Sequence, residues 1–150
     1  MKKLFLYCSY TGNGEVVSEV FKSHNYDVRK VIEKKKMPKS FFLSMMQGGF
    51  RASIHSKGKL VDYSNDVSNY EEIVIGGPIW NARLTPTTNA ILKETNLSDK
   101  KLTFIFYSGS GTGKKTEKKI KKLFPEASII FLKEPKKHKE ELEKLNILFK

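Results

Sequence analysis

Short apolar runs alternate with longer stretches of helical periodicity along the chain. The first run, residues 3–8, carries Leu4, Phe5, Leu6 and Tyr7 in succession. A polar, glycine-bearing loop follows. Val16, Val17, Val20 and Phe21 then recur at spacings that place them on one face of a helix. Residues 26–32 form a second predicted strand and residues 72–75 a third, ended by Gly76, Gly77 and Pro78. Thr85 followed by Pro86 predicts a helix start, because threonine caps helices and proline suits the first helical position. Residues 102–107 form the fourth predicted strand. A helix with Ile120, Leu123 and Phe124 turned inward comes next and is stopped by Pro125. Residues 128–132 form the fifth strand. A final helix is expected over residues 136–149, with Leu142, Leu145, Leu148 and Phe149 along one side.

Strand and helix therefore alternate, and the strands are apolar on both faces. That pattern belongs to a parallel sheet covered by helices on each side. Right-handed crossovers leave a doubly wound, three-layer α/β domain with a five-stranded parallel sheet as the simplest arrangement. One connection is longer than such crossovers need: residues 33–71 separate the second and third strands. Met37, Phe41, Phe42, Met45, Met46 and Phe50 lie within it, which predicts an amphipathic covering helix from Pro38 onward; a flap beside a ligand site is the functional alternative.

The length of 150 residues and 39% hydrophobic content suit one buried core and a single domain spanning residues 1–150. No apolar run approaches the roughly 20 residues of a membrane-spanning helix. No signal-peptide cleavage site follows the basic start, and Cys8 is the single cysteine, so a reducing, cytoplasmic location is expected. The 28 basic and 16 acidic residues leave a formal charge of +12. The excess is almost entirely lysine, with Arg29, Arg51 and Arg83 the arginines, which suits general surface charge better than base-specific nucleic-acid readout. Lysines at 114, 115, 118, 119, 121 and 122 coat one predicted helix.

In a doubly wound sheet, ligands bind beyond the carboxyl ends of the strands. Three loops fall there. The first, Ser9, Tyr10, Thr11, Gly12, Asn13, Gly14 and Glu15, offers hydroxyls and close-approaching amides at a helix N-terminus, a cradle for one phosphate monoester. It contains no lysine or arginine, so it reads as neutral, and the +12 is assigned to helix surfaces and connections. The second, running from Gly76 through Pro78, Ile79, Trp80 and Asn81 to Arg83, carries the only tryptophan, a plate for a flat ring. The third, Ser108, Gly109, Ser110, Gly111, Thr112 and Gly113, lets backbone lie against a ligand edge. Each loop alone also suits an ordinary turn; together they offer a phosphate site, an aromatic plate and a polar edge.

These three stretches resemble the flavodoxin family. Ser9, Thr11, Gly12 and Asn13 match the family's phosphate loop position by position, while Gly14 stands where a hydroxyl residue is usual. Residues 70–86 resemble the third strand and first flavin loop, and residues 104–113 the fourth strand and second flavin loop. The resemblance implies a flavodoxin-like sheet of strand order 2-1-3-4-5, short-chain in type, with FMN as cofactor. It places Trp80 against one flavin face and Asn81 where a peptide flips toward the reduced ring. It assigns FMN contacts to Ser9, Tyr10, Thr11, Gly12, Asn13, Gly14, Pro78, Ile79, Trp80, Asn81, Ser108, Gly109, Ser110 and Gly111.

The chain departs from acidic one-electron flavodoxins in its charge, and its second flavin loop has no aromatic residue. Two flavin functions are consistent with this: electron transfer to a redox partner protein, or a small oxidoreductase acting on NAD(P)H or a quinone-like apolar substrate. A flavin-free scaffold binding an acidic macromolecule through its lysines is the alternative from another class. No catalytic acid or base is assigned. His24, His55 and His138 lie outside the three loops, and no metal-ligand spacing occurs.

Overall fold

The computed structural model describes residues 1–32 and 64–150. The expected amphipathic segment beginning at Pro38 lies outside the described residues. Five strands form one parallel sheet: β1 (Lys3–Tyr7), β2 (Asp27–Lys30), β3 (Glu72–Trp80), β5 (Lys101–Ser108) and β6 (Ser128–Lys133), in the order β2-β1-β3-β5-β6. A two-residue strand, β4 (Arg83–Leu84), pairs antiparallel with the end of β3. Apart from that hairpin strand the order is the expected 2-1-3-4-5.

Alternation along the strands splits the core into two layers. Leu4 and Leu6, Ile73 and Ile75, and Phe104 and Phe106 face one side. There they meet Ala90 and Ile91 of helix α2 (Pro86–Glu94) and Ile120 of helix α3 (Lys114–Leu123). Phe5, Tyr7, Val74, Ile105 and Tyr107 face the other. They pack on Val17 and Phe21 of helix α1 (Asn13–Ser23) and on Leu145. The register sets Phe5 beside Val74 and Val74 beside Thr103, so each layer runs unbroken across the sheet. Burying each such side chain contributes about 1.5–3 kcal/mol.

Three expectations are corrected. The third strand does not end at residue 75: β3 runs through Gly76, Gly77 and Pro78 to Trp80. The glycines answer close packing rather than a turn. A Cβ on Gly76 would lie 2.7 Å from the Phe5 ring, and one on Gly77 would lie 2.6 Å from Thr88 Oγ1. Leu123 does not face the core but is 54% exposed, and Phe124, just past the end of α3, packs against the core instead. The closing helix is not α-helical. Residues Lys139–Leu148 form a 3₁₀ helix. Leu142, Leu145 and Leu148 recur every third residue, the 3.0-residue period of that helix rather than 3.6.

Thr85 caps α2 as its sequence implies: its hydroxyl accepts from Thr88 N at 3.3 Å and Pro86 takes the first helical position. Among the described residues no helix is long and apolar enough to cross a membrane.

Candidate functional site

Beyond the carboxyl ends of β1, β3, β5 and β6 lies a cavity of about 510 Å³. Thr11 and Asn13 line it from the first loop, Pro78, Ile79 and Trp80 from the end of β3, and Ser108 and Gly109 from the end of β5. Residues 11, 13, 78, 79, 80, 108 and 109 of the sequence-derived site thus meet in one space. A larger cavity of about 580 Å³ lies at the opposite, amino-terminal edge of the sheet around Leu102 and Pro125, away from all three loops.

The first loop is shaped by its own polar atoms. Ser9 Oγ accepts from Gly14 N at 3.0 Å, and Asn13 Nδ2 donates to Thr11 Oγ1 at 3.3 Å. Gly12 precedes α1 with φ of 94°, a conformation that strains any residue with a side chain. The α1 amino end therefore sits directly against the loop, with its partial positive charge there. Gly14 is buried, and a Cβ there would lie 2.7 Å from each of Ser9 Cβ, Tyr7 Cδ2 and the Tyr107 hydroxyl. That phenol fills the space a larger residue 14 would need. Tyr107 donates to the Cys8 carbonyl, and burial pushes its ionisation well above the usual tyrosine range, so it stays a donor. Glu15, in the first turn of α1, pairs with Lys30 at 2.5 Å.

Trp80 is the last residue of β3 rather than a loop residue, because β3 folds back on β4 directly after it. Asn81 and Ala82 join the two strands with φ of 49° and 58°. A two-residue connection with both residues left-handed is a type I′ hairpin turn. Both are exposed, and neither lines the cavity. Thr116 of α3 donates to the Ala82 carbonyl at 3.0 Å and ties the turn to the domain. Tyr10 packs on Trp80 with ring centroids 4.7 Å apart and planes inclined 45°, and its hydroxyl lies 2.7 Å from Thr87 Oγ1. Tyr10 is therefore a support for the indole, outside the cavity lining.

The third loop also uses its hydroxyls on itself. Ser108 Oγ accepts from Gly111 N at 2.9 Å, and Ser110 Oγ lies 3.1 Å from Thr112 Oγ1. Ser110 and Gly111 shape the loop without lining the cavity. Gly111 has φ of 72° and backs onto Lys133. Gly109 faces open space, with no atom within 4 Å of where a Cβ would stand.

Sequence reasoning missed a fourth wall. Glu134, Lys136 and Lys137, from the connection after β6, line the cavity, as does Tyr107. The signal was available, since the doubly wound rule brings the end of the last strand to the same edge. Lys136 reaches across to the first loop. Its backbone N–H donates to Asn13 Oδ1 at 3.0 Å, and its Nζ lies 3.4 Å from the Thr11 carbonyl. A cation thus stands over a loop that contains none in sequence. His24 lies elsewhere, stacked on Phe149 at 3.7 Å; His55 lies outside the described residues.

The Flavodoxin family's sequence model matches residues 3–146. Among solved structures, a candidate flavoprotein from Bacteroides uniformis ATCC 8492 superposes with a TM-score of 0.71 at 21% identity, covering 85% of each chain. A flavoprotein in complex with FMN from Lactobacillus acidophilus NCFM gives a TM-score of 0.66 at 15% identity, over 93% of this chain and 97% of that one. Oxidised flavodoxin 2 from Bacillus cereus gives 0.54 at 16% identity, over 99% and 97%. At these identities the likeness shows the fold. No curated protein sequence matches the chain.

Proposed function

The chain belongs to the flavodoxin family, and from that premise we propose that it binds FMN in the cavity described and works in electron transfer or as a small flavin-dependent oxidoreductase. The observation that carries the reading is the meeting of Thr11 and Asn13, Trp80, and Ser108 with Gly109 around one space of about 510 Å³. That volume lies within the roughly 300–1,000 Å³ of small-ligand pockets. The donor set suits the parts of FMN. Amides and hydroxyls at the start of α1 suit the phosphate. The indole suits a flat ring, and the backbone of the third loop suits the ring's polar edge. The complex of the Lactobacillus acidophilus flavoprotein with FMN supports the choice of cofactor.

FMN when bound supplies the electron-accepting chemistry; the chain's own residues bind and orient it. Gly12 lets the loop turn at its left-handed φ, and Gly14 lets the start of α1 pack against Ser9, Tyr7 and Tyr107. Trp80, supported by Tyr10, presents an aromatic face. Ser108 holds the third loop flat through Gly111 N. Gly109 leaves that side open, which favours direct approach of a nicotinamide or a quinone-like substrate. The lysine-rich exterior favours acidic redox partners by steering their encounter.

The test is titration of the purified protein with FMN, followed by NAD(P)H under anaerobic conditions. Flavin uptake with bleaching on NAD(P)H addition supports the oxidoreductase. Uptake with bleaching only through a partner reductase supports the carrier. Absence of FMN uptake overturns both and leaves the flavin-free scaffold.

A further inference from the structure

The turn after β6 is pinned at both ends. Glu134 N donates to the Ser108 carbonyl at 3.1 Å, and Lys136 N donates to Asn13 Oδ1 at 3.0 Å. Within the turn, Lys137 N and His138 N both donate to the Glu134 carbonyl, at 2.8 and 3.0 Å. Its two lysines have different fates. Lys137 Nζ sits 2.9 Å from Glu134 Oε1, and that hydrogen bond holds the Glu134 carboxyl below its usual range. Lys136 has no carboxylate among the described residues. Its aliphatic stem lies across the phosphate loop, with Cδ 3.0 Å from where a Cβ of Gly12 would stand, and its Nζ reaches only the Thr11 carbonyl at 3.4 Å. That is long for an N–H···O bond and uses one of three ammonium donors.

We propose that Lys136 is the phosphate-specificity residue of this site. Its ammonium pairs with the terminal phosphate of the bound ligand, so that the site selects a phosphorylated flavin over riboflavin. The assignment deepens the FMN reading and rests on it for the identity of the ligand. Asn13 is the positioning residue: its side-chain oxygen is spent on Lys136 N, which fixes the turn that carries the ammonium over the α1 amino end. The charge of Lys136 and the partial positive charge of that helix end then act on the same phosphate.

Three probes separate this assignment from the FMN reading: FMN, riboflavin and inorganic phosphate, applied to the unaltered chain, Lys136→Met and Lys136→Arg. Flavin binding is read by tryptophan quenching, and phosphate binding by amide shifts of Gly12 and Asn13. Lys136→Met is expected to weaken FMN about tenfold, as loss of a charged hydrogen bond does, and to leave riboflavin unchanged. FMN affinity in the unaltered chain should fall with added salt more steeply than in Lys136→Met, and Lys136→Arg should restore most of it. If Lys136→Met lowers FMN and riboflavin equally, or neither, Lys136 is not the specificity residue, while FMN binding by the unaltered chain stands. If no flavin binds but phosphate shifts the loop amides in a Lys136-dependent way, the residue's role holds and the FMN reading fails. If neither flavin nor phosphate binds, both fail.

Discussion

Tyr10 and Trp80 lie with ring centroids 4.7 Å apart and planes inclined 45°, and they join the first loop to the end of β3. The indole is thus packed against a residue that also reaches Thr87 of α2 through its hydroxyl. An aromatic plate fixed in this way loses little freedom when a flat ring packs against it.

This relationship makes the first prediction. Trp80→Ala should weaken FMN about tenfold, within the roughly 1–3 kcal/mol that stacking on a planar base is worth. Tyr10→Leu should weaken it less, by loosening the indole while leaving it present. Because Trp80 is the only tryptophan, its fluorescence should fall on FMN addition to the unaltered chain. Fluorescence titration measures all three, and an unquenched tryptophan would remove Trp80 from the ring site.

Ala82 stands at φ of 58° in an exposed hairpin turn. A left-handed conformation costs a residue with a Cβ about 1–2 kcal/mol, and glycine gives back part of this through its looser unfolded chain. Ala82→Gly should stabilise the protein by about 0.5–1 kcal/mol. Chemical denaturation checks it, with a raised midpoint at unchanged slope as the expected result.

Gly14 is enclosed by Ser9, Tyr7 and the Tyr107 hydroxyl, each 2.7 Å from a would-be Cβ. Restoring the family's hydroxyl by Gly14→Thr should therefore destabilise, by about 1–3 kcal/mol as overpacking does. Thermal melting of the variant measures the cost. A variant as stable as the unaltered chain would show that the Tyr107 side chain yields easily.

The Glu15–Lys30 pair gives a pH dependence of known sign. Burial, the largest influence, would raise the Glu15 carboxyl, but hydrogen bonds from Lys30, Ser9 and its own backbone amide, with the charge of Lys30, together outweigh it, so its pKa lies below the ordinary 4.5. The Glu15 hydrogen bond raises Lys30 above 10.5. A depressed carboxylate stabilises above its unfolded pKa and loses this as pH falls through the folded value; a raised ammonium does so below its unfolded pKa and loses it at high pH. The pair is therefore fully effective near neutrality. Both side chains are over a third exposed, so its worth is small, at most about 1 kcal/mol. Glu15→Gln should lower stability slightly at pH 7, and the difference should begin to shrink near pH 4.5 and vanish once pH has fallen through the lower folded value. Paired denaturation curves at pH 7 and in acid test this.

Much of the fold was legible because its signals are local. Apolar runs marked all five parallel strands, and Thr85 with Pro86 marked the start of α2 through an N-cap chemistry that needs no tertiary partner. The misreadings arose where spatial neighbours decide. Gly76 and Gly77 read as a strand end, yet they are strand residues kept small by the Phe5 ring and Thr88 across the core. Leu142, Leu145 and Leu148 read as one helical side, which they are, but their three-residue period was taken for an α-helix.

The same division runs through the site. The sequence by itself determined a parallel α/β sheet with hydroxyl- and glycine-bearing loops and the single tryptophan at one edge, because strand periodicity, glycine placement and helix capping act over a few residues. Tertiary structure alone decided which side chains face the cavity. It left Asn81 and Ser110 out of the cavity lining and packed Tyr10 on Trp80. It also brought Lys136 over a loop 123 positions earlier in the chain. Charge acts through space, whereas a loop's own composition records only the charges within it. A loop with no cation in its own sequence therefore gains one, Lys136, once the domain closes.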